Sequence, residues 1–343
     1  MFHLRVAGRY LQSELFALPT RMLALLFIIG LLAFPLFSQH PYVLRVLILT
    51  AIFTMYAVSW DVLAGYAGQI SLGHALFFGV GAYTVALLNT RVGLPPVLSI
   101  PLGALAAMAA GLLVGVPCLR LRKYYLALAT LAFPLMLTGV VYMFPRYTGG
   151  ELGIFGISRL AATPLTEYYI ATGSMLAIVL GLWKLTTSRI GLIFHAIRED
   201  EVVVRALGIN SVRYKLLAFI VSGLVAGLSG ALYAHFDRIA GPSNLELFMS
   251  FQPVIWTIFG GAATIYGPVT GVFILYPALE SLRALPEYRM LIFALLVLLV
   301  LRFMPSGLAP WVRERAEKEC PHCKVKNAFL RSSCRTCRTE LSP

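Results

Sequence analysis

Ten apolar runs follow one another along this 343-residue chain, at about 22–37, 43–63, 68–88, 97–117, 125–144, 168–187, 216–236, 251–264, 266–283 and 289–303. A helix needs about 20 apolar residues to cross the hydrocarbon layer of a bilayer, and fewer where neighbouring protein shields its ends. Charged residues make up 13% of the chain, about half of what a soluble domain carries. The expected fold class is therefore all-α: a polytopic membrane helical bundle of about ten spans. The eighth and ninth runs are the weakest, because Gly260-Gly261 and Gly267-Pro268 interrupt them. If one of the short segments is re-entrant, the count falls to nine or eight.

Lysine and arginine orient the bundle. A net charge of +13 would direct attention to nucleic acid in a soluble protein, but basic residues in membrane proteins mark cytosolic loops. With residues 1–21 inside and ten crossings, 21 of the 28 basic residues fall on one side. They comprise Arg5, Arg9 and Arg21, then Arg120, Arg122 and Lys123, six between Lys184 and Lys215, and the tail from Arg302 onward. This bias places both termini and residues 189–215 in the cytosol. No small-x-small cleavage pattern follows Phe37, so the first run is expected to stay as a span. Gly111-x3-Gly115, Gly223-x3-Gly227 and Gly267-x3-Gly271 allow close backbone approach, expected here between helices of the same chain.

Residues 189–215, RIGLIFHAIREDEVVVRALGINSVRYK, form a charged island between apolar runs. Its middle, within Ala196–Ile209, reads as one short helix. Arg198 falls within it, and Glu199, Asp200 and Glu201 sit where a helix N-terminus favours acids. Arg205 sits near the end that favours cations, and Gly208 supplies the stop. A helix of about nine residues is marginal alone. It needs a support, either the bilayer surface or another protein.

The segment Gly65-Tyr-Ala-Gly-Gln-Ile-Ser-Leu-Gly-His-Ala75 carries Gln69, Ser71 and His74 at membrane depth among Gly65, Gly68 and Gly73, with Gly79 close behind. Polar groups there are costly unless they find partners or line a watery cavity. The segment reads either as a broken helix on a translocation path or as a polar clasp between helices. Asp61, just before it, has no partner nearby in sequence and is expected to pair with a neighbouring helix. Glu280 and Arg283 lie three apart at the end of a span and can pair along one face. The glycine-rich loop at 145–167 is a shaped surface where an external partner could sit.

After Pro305 the hydropathy collapses. Residues 306–319 read as a charged linker, and 320–343 carry Cys320-Pro-His-Cys323 and Cys334-Arg-Thr-Cys337. Two such pairs, ten residues apart, can hold structural zinc through four thiolates in a small ribbon. A cytosolic location favours metal over disulfide; a redox pair is the alternative. The basic residues around the cysteines could dock on acidic protein or anionic lipid.

Taken together, GYAGQISLGHALFFGVGAYTVALL, LRLRKYYLALATLAF, the island, GLSGALYAHF and FGGAATIYGPVTG resemble the permease subunits of branched-chain amino acid ABC importers, the M-type subunit above all. The resemblance covers about residues 40–305; the cysteine tail departs from it. It implies a second permease subunit, two cytosolic ATPases, an extracytoplasmic solute-binding protein and a bacterial or archaeal cytoplasmic membrane. It also implies that Ala196–Ile209 is the coupling helix seated in an ATPase groove. The chain has no G-x-x-x-x-G-K-[ST] phosphate loop, so it is expected to be no enzyme itself, with ATP used by its partners. Urea or short amides are the rival solutes within the class. A secondary transporter using Asp61 and His74, or a membrane sensor with the tail as output, are the rivals outside it.

Overall fold

The computed structural model describes residues 19–119, 121, 124–284, 288–320, 322–323, 326–328, 334 and 337. Most of the N-terminal segment 1–21, the basic residues Arg120, Arg122 and Lys123, and much of 320–343 thus lie outside the described residues.

Helices account for every predicted run: α1 (Pro19–Phe37), α2 (Pro41–Asp61), α3 (Ala75–Val92), α4 (Pro96–Cys118), α5 (Tyr124–Met143) and α6 (Pro164–Thr186). Two short helices follow, α7 (Arg189–Glu199) and α8 (Glu201–Ala206), then α9 (Ser211–Asp237), α10 (Leu247–Gly260), α11 (Tyr266–Ser281) and α12 (Arg289–Phe303). Helix α13 (Leu308–Ala316) leads into the tail. Among the described residues, six helices are long and apolar enough to cross a bilayer alone, those containing 41–66, 75–92, 96–118, 124–143, 164–186 and 211–237. Exposed Leu98, Leu105, Leu113 and Val116 on α4, with Leu128, Leu135 and Met136 on α5, make a surface suited to lipid or a membrane partner. The protein is a multi-pass membrane protein.

Helix α2 forms the axis. It is apolar on every side, as a helix enclosed by others must be, and Ile52, Met55, Tyr56, Ala57 and Val58 are wholly buried. Helices α6, α9, α10 and α11 pack around it. One end of the bundle carries Lys184, Arg189, Arg198, Arg205, Arg213 and Lys215, and we call it the basic end. At the opposite end Arg45 pairs with Asp237 at 3.2 Å, and Arg283 with Glu280 at 2.7 Å. There too, Ile154–Phe155 (β1) and Ile239–Ala240 (β2) pair antiparallel.

The glycine motifs pack within the chain. A Cβ at Gly111 would stand 2.7 Å from the Phe219 carbonyl oxygen, and one at Gly223 2.8 Å from that of Ala107. Gly227 meets the Ala107 methyl, and Gly271 the Trp256 carbonyl. A Cβ at Gly230 would run into the Phe78 carbonyl, which is backbone and cannot step aside. Gly230→Ala is therefore expected to cost about 3 kcal/mol by overpacking and to lower the unfolding temperature in detergent. Gly173→Ala serves as the control, since nothing lies within 4 Å of that position and alanine favours the helix.

Two boundaries differ from expectation. The run at 68–88 was expected to hold a span with a glycine-rich break at its start, and the regular helix α3 starts only at Ala75. The chain leaves α2 through a π-helical turn, Val62–Tyr66, and passes Gly68 at φ +68°. The run at 251–264 becomes α10 at Leu247–Gly260, whose 14 residues span about 21 Å, short of the hydrocarbon layer. The stretch from β2 through the short 3-10 helix Pro242–Leu245 makes up the rest. The first break is held by side chains from distant helices, so neighbouring sequence did not reveal where α3 begins.

Candidate functional site

At the first break, residues 67–74 leave backbone donors without a helix. Thr130 on α5 accepts from Leu72 N at 3.1 Å, and Ser250 on α10 from Ala75 N at 3.2 Å. Trp60 Nε1 donates to the Ser71 carbonyl at 2.7 Å, and Gln69 Nε2 to Ala67 O at 3.1 Å. Ser71 Oγ takes the Gly73 N–H at 3.3 Å. His74 Nε2 lies 2.8 Å from Ser59 Oγ, whose own hydroxyl donates to Tyr56 O at 2.7 Å. Serine has one hydrogen to give, so His74 donates from Nε2, and its bare Nδ1 meets no partner among the described residues. Gln69, Ser71 and His74 are all buried, and Ile70 alone in this stretch is strongly exposed. In this conformation the three polar residues lie inside the bundle; the His74 ring and the Ser71 carbonyl bind α2, and the backbone N–H groups of Leu72 and Ala75 complete the clasp to α5 and α10. The clasp partners Ser59, Thr130 and Ser250 were missed from sequence; their signal was hydroxyl groups at membrane depth.

The island folds differently from the expected single helix over Ala196–Ile209: it splits at Asp200. Asp200 has extended backbone and caps α8, its Oδ1 accepting from Val202 N at 2.8 Å and Val203 N at 3.3 Å. Three acids in a row read as one N-terminus. In fact Glu199 ends α7, Asp200 is the cap and Glu201 opens α8. Ala196 O receives the Asp200 N–H that closes α7. Gly208 ends α8 at φ +79°, and Asn210 caps α9.

The back of α8 is tied down. Glu201 bonds Arg205 and Ser211, and its other oxygen takes Lys215 Nζ at 2.5 Å. Its front is bare: Val202, Val203 and Leu207 are 70%, 55% and 73% exposed. Burial pushes the Glu201 carboxyl up, but Lys215, Arg205 and Ser211 outweigh this and bring it down from 4.5 to about 2. A depressed carboxylate stabilises the fold above its unfolded value. This contribution is complete above pH 4.5 and lost as pH falls from there toward about 2. Glu201→Gln would leave the Lys215 ammonium, 7% exposed, without its counter-charge, at a cost of about 3 kcal/mol. Thermal unfolding at pH 7 and pH 3 should show the variant destabilised at pH 7 and its acid-induced loss reduced.

Helix α7 reaches the membrane break. Arg198 Nη1 donates to the Gly65 carbonyl at 2.6 Å, in the π-helical turn. Gly68 sits so close that a Cβ there would stand 3.0 Å from the Arg198 backbone, and His195 lies 4.9 Å from the Tyr66 ring centre. One helical turn before Gly65, Asp61 is wholly buried, with Oδ1 accepting from Ala263 N at 2.7 Å. The expected helix partner for Asp61 is thus the backbone of the turn between α10 and α11.

At the tail, the sulfurs of Cys320, Cys323, Cys334 and Cys337 all lie within 4.8 Å of one another, an arrangement able to hold a metal ion. Separations of 3.5 Å for Cys320–Cys337 and 3.4 Å for both Cys323–Cys334 and Cys323–Cys337 are near the ~3.8 Å edge of a tetrahedral zinc–thiolate site.

A family model described as the permease component of branched-chain amino acid transport systems matches residues 42–301, leaving the tail outside. The high-affinity branched-chain amino acid transport system permease protein LivM of Escherichia coli K12 is 30% identical over 310 residues, covering 81% of this chain and 71% of that protein. A probable LivM of Methanocaldococcus jannaschii is 22% identical over 323 residues, 77% of this chain and 92% of that protein. LivH of Salmonella typhimurium is 30% identical over 123 residues, 35% of this chain and 40% of that protein. No solved structure matches. A match running from α2 to α12, through both breaks and the island, shows that the chain belongs to the family of permease components of branched-chain amino acid transport systems.

Proposed function

We propose that this chain is one membrane subunit of an ABC importer that moves branched-chain or similar small apolar amino acids into the cell. It works in a bacterial or archaeal cytoplasmic membrane with a second permease subunit, two cytosolic ATPases and an extracytoplasmic binding protein. The basic end is then the cytosolic face. Helix α8 is the knob that enters the ATPase, with Glu201 and Arg205 fixing its back and Val202, Val203 and Leu207 presented to the partner. The observation that carries this reading is the pairing of a bare apolar face on α8 with the Arg198 bond to the break at Gly65. Movement of the ATPases is thereby delivered to a part of the membrane domain that is not regular helix. Gln69, Ser71 and His74 take part by opening and reclosing the clasp.

Uptake of labelled leucine, isoleucine and valine by cells lacking this chain tests the solute class. Loss of that uptake, restored by the intact gene, is expected. Intact amino-acid uptake with loss of urea or short-amide uptake would transfer the assignment to those solutes. The four cysteines hold structural zinc in this reading. Elemental analysis of the purified chain should then find about one zinc per molecule, falling to background when Cys320 and Cys334 are both serine.

A further inference from the structure

We propose that the cation held by the cysteine cluster regulates the transport domain by fixing the turn between α10 and α11, where the end of α2 is also held. This rests on the metal reading above and gives the tail a purpose that the matched family region, ending at 301, does not contain.

The tail is packed onto the bundle along a continuous path. Gly307, at φ +89°, brings its backbone against that of Gly261, and the Pro310 ring lies on the same glycine. A side chain at either glycine would push α13 off the turn. Arg313 Nη1 donates to Tyr266 Oη at 3.0 Å, and its guanidinium lies 5.6 Å from that ring's centre. Tyr266 is the first residue of α11. Arg313 Nε reaches back to Glu317 at 3.1 Å, on the strand Glu317–Glu319 (β3) that leads directly into Cys320. That strand pairs with Lys326–Ala328 (β4) through three residues on each side.

A strand pair of this length is marginal by itself in water, so the cation supplies the energy that folds the module. With the cation bound, β3 is fixed, Glu317 holds Arg313, and Arg313 holds Tyr266. The turn beyond needs such support. Ala263 sits at φ +60°, a conformation that costs a non-glycine residue energy, and its N–H is the donor to Asp61. Asp61 in turn precedes the Gly65 carbonyl that Arg198 grips. Metal loading of the tail therefore bears on the same short stretch of α2 as the island does, from the other side. The ligand class is a thiophilic divalent cation of tetrahedral preference, for which zinc is the probe.

The test is hydrogen exchange on the full purified chain in lipid nanodiscs, read on peptides covering 261–267, with elemental analysis of each sample. Samples are zinc-loaded chain, chain stripped by a chelator, stripped chain with zinc restored, and zinc-loaded Tyr266→Phe. Stripping should speed exchange at 261–267 by about tenfold, zinc should reverse it, and Tyr266→Phe should reproduce the increase with its zinc still bound. Faster exchange confined to the tail, with 261–267 unmoved by stripping, would make the tail an autonomous bead and overturn the proposal. So would Tyr266→Phe leaving 261–267 unchanged. A chain that binds no zinc in any sample fails at the metal reading itself, which elemental analysis separates from failure of the link.

Discussion

Arg198→Ala is expected to cut amino-acid uptake at least tenfold while the chain still reaches the membrane and its complex still hydrolyses ATP. The side chain lies mostly at the surface, so its removal leaves the core intact. What it removes is a charge-assisted hydrogen bond of 2.6 Å to the Gly65 carbonyl. Such bonds contribute about 2 kcal/mol, and each 1.4 kcal/mol is a factor of about ten in an equilibrium. Its loss also leaves Asp61 without the nearest cation of the island. The ATPases would then turn over against a helix pair that no longer grips the broken segment. Arg198→Lys keeps the charge but not the planar fork, and should fall between wild type and alanine. The ratio of leucine uptake to ATP hydrolysis in proteoliposomes measures this directly.

Val202→Asp combined with Leu207→Asp should abolish uptake by a different route. Both positions are exposed in the isolated chain, 70% and 73%, so unfolding temperature should change little. In the complex each would set a carboxylate in place of an apolar contact. Burying a Val or Leu side chain is worth about 2 kcal/mol, and burying an unpaired charge costs more. Two such changes on one helical knob outweigh the affinity that a small docking surface supplies. Uptake in cells should drop to the level of the deletion strain, with membrane abundance of the chain unchanged.

The two variants fail on the two adjoining helices of the same island, which bears on how much of it was readable beforehand. Asp200 was visible as an acid at a helix start and Gly208 as a stop, because capping is local chemistry. The split at Asp200 was hidden by its acidic neighbours Glu199 and Glu201, which satisfy the same rule. Arg198 could not be placed, since its partner is a backbone carbonyl 133 residues away and carbonyls have no signature in sequence. The start of α3 was misjudged for a related reason. Leu72 N and Ala75 N are free to leave the helix only because Thr130 and Ser250 take them, and nothing near residue 70 announces that. The apolar runs were located well because they answer to the bilayer rather than to one another. The cysteine cluster was legible because its pairs are spaced two residues apart.

Helix α8 as the seat of the ATPases is the central claim, and one purification tests it. The chain is tagged, extracted with its complex from native membranes, and ATP hydrolysis in the eluate is measured per mole of chain. The intact chain should elute with ATPase activity, and the Val202→Asp, Leu207→Asp chain should elute in equal amount without it. Equal activity from both, or none from the intact chain, would contradict the account.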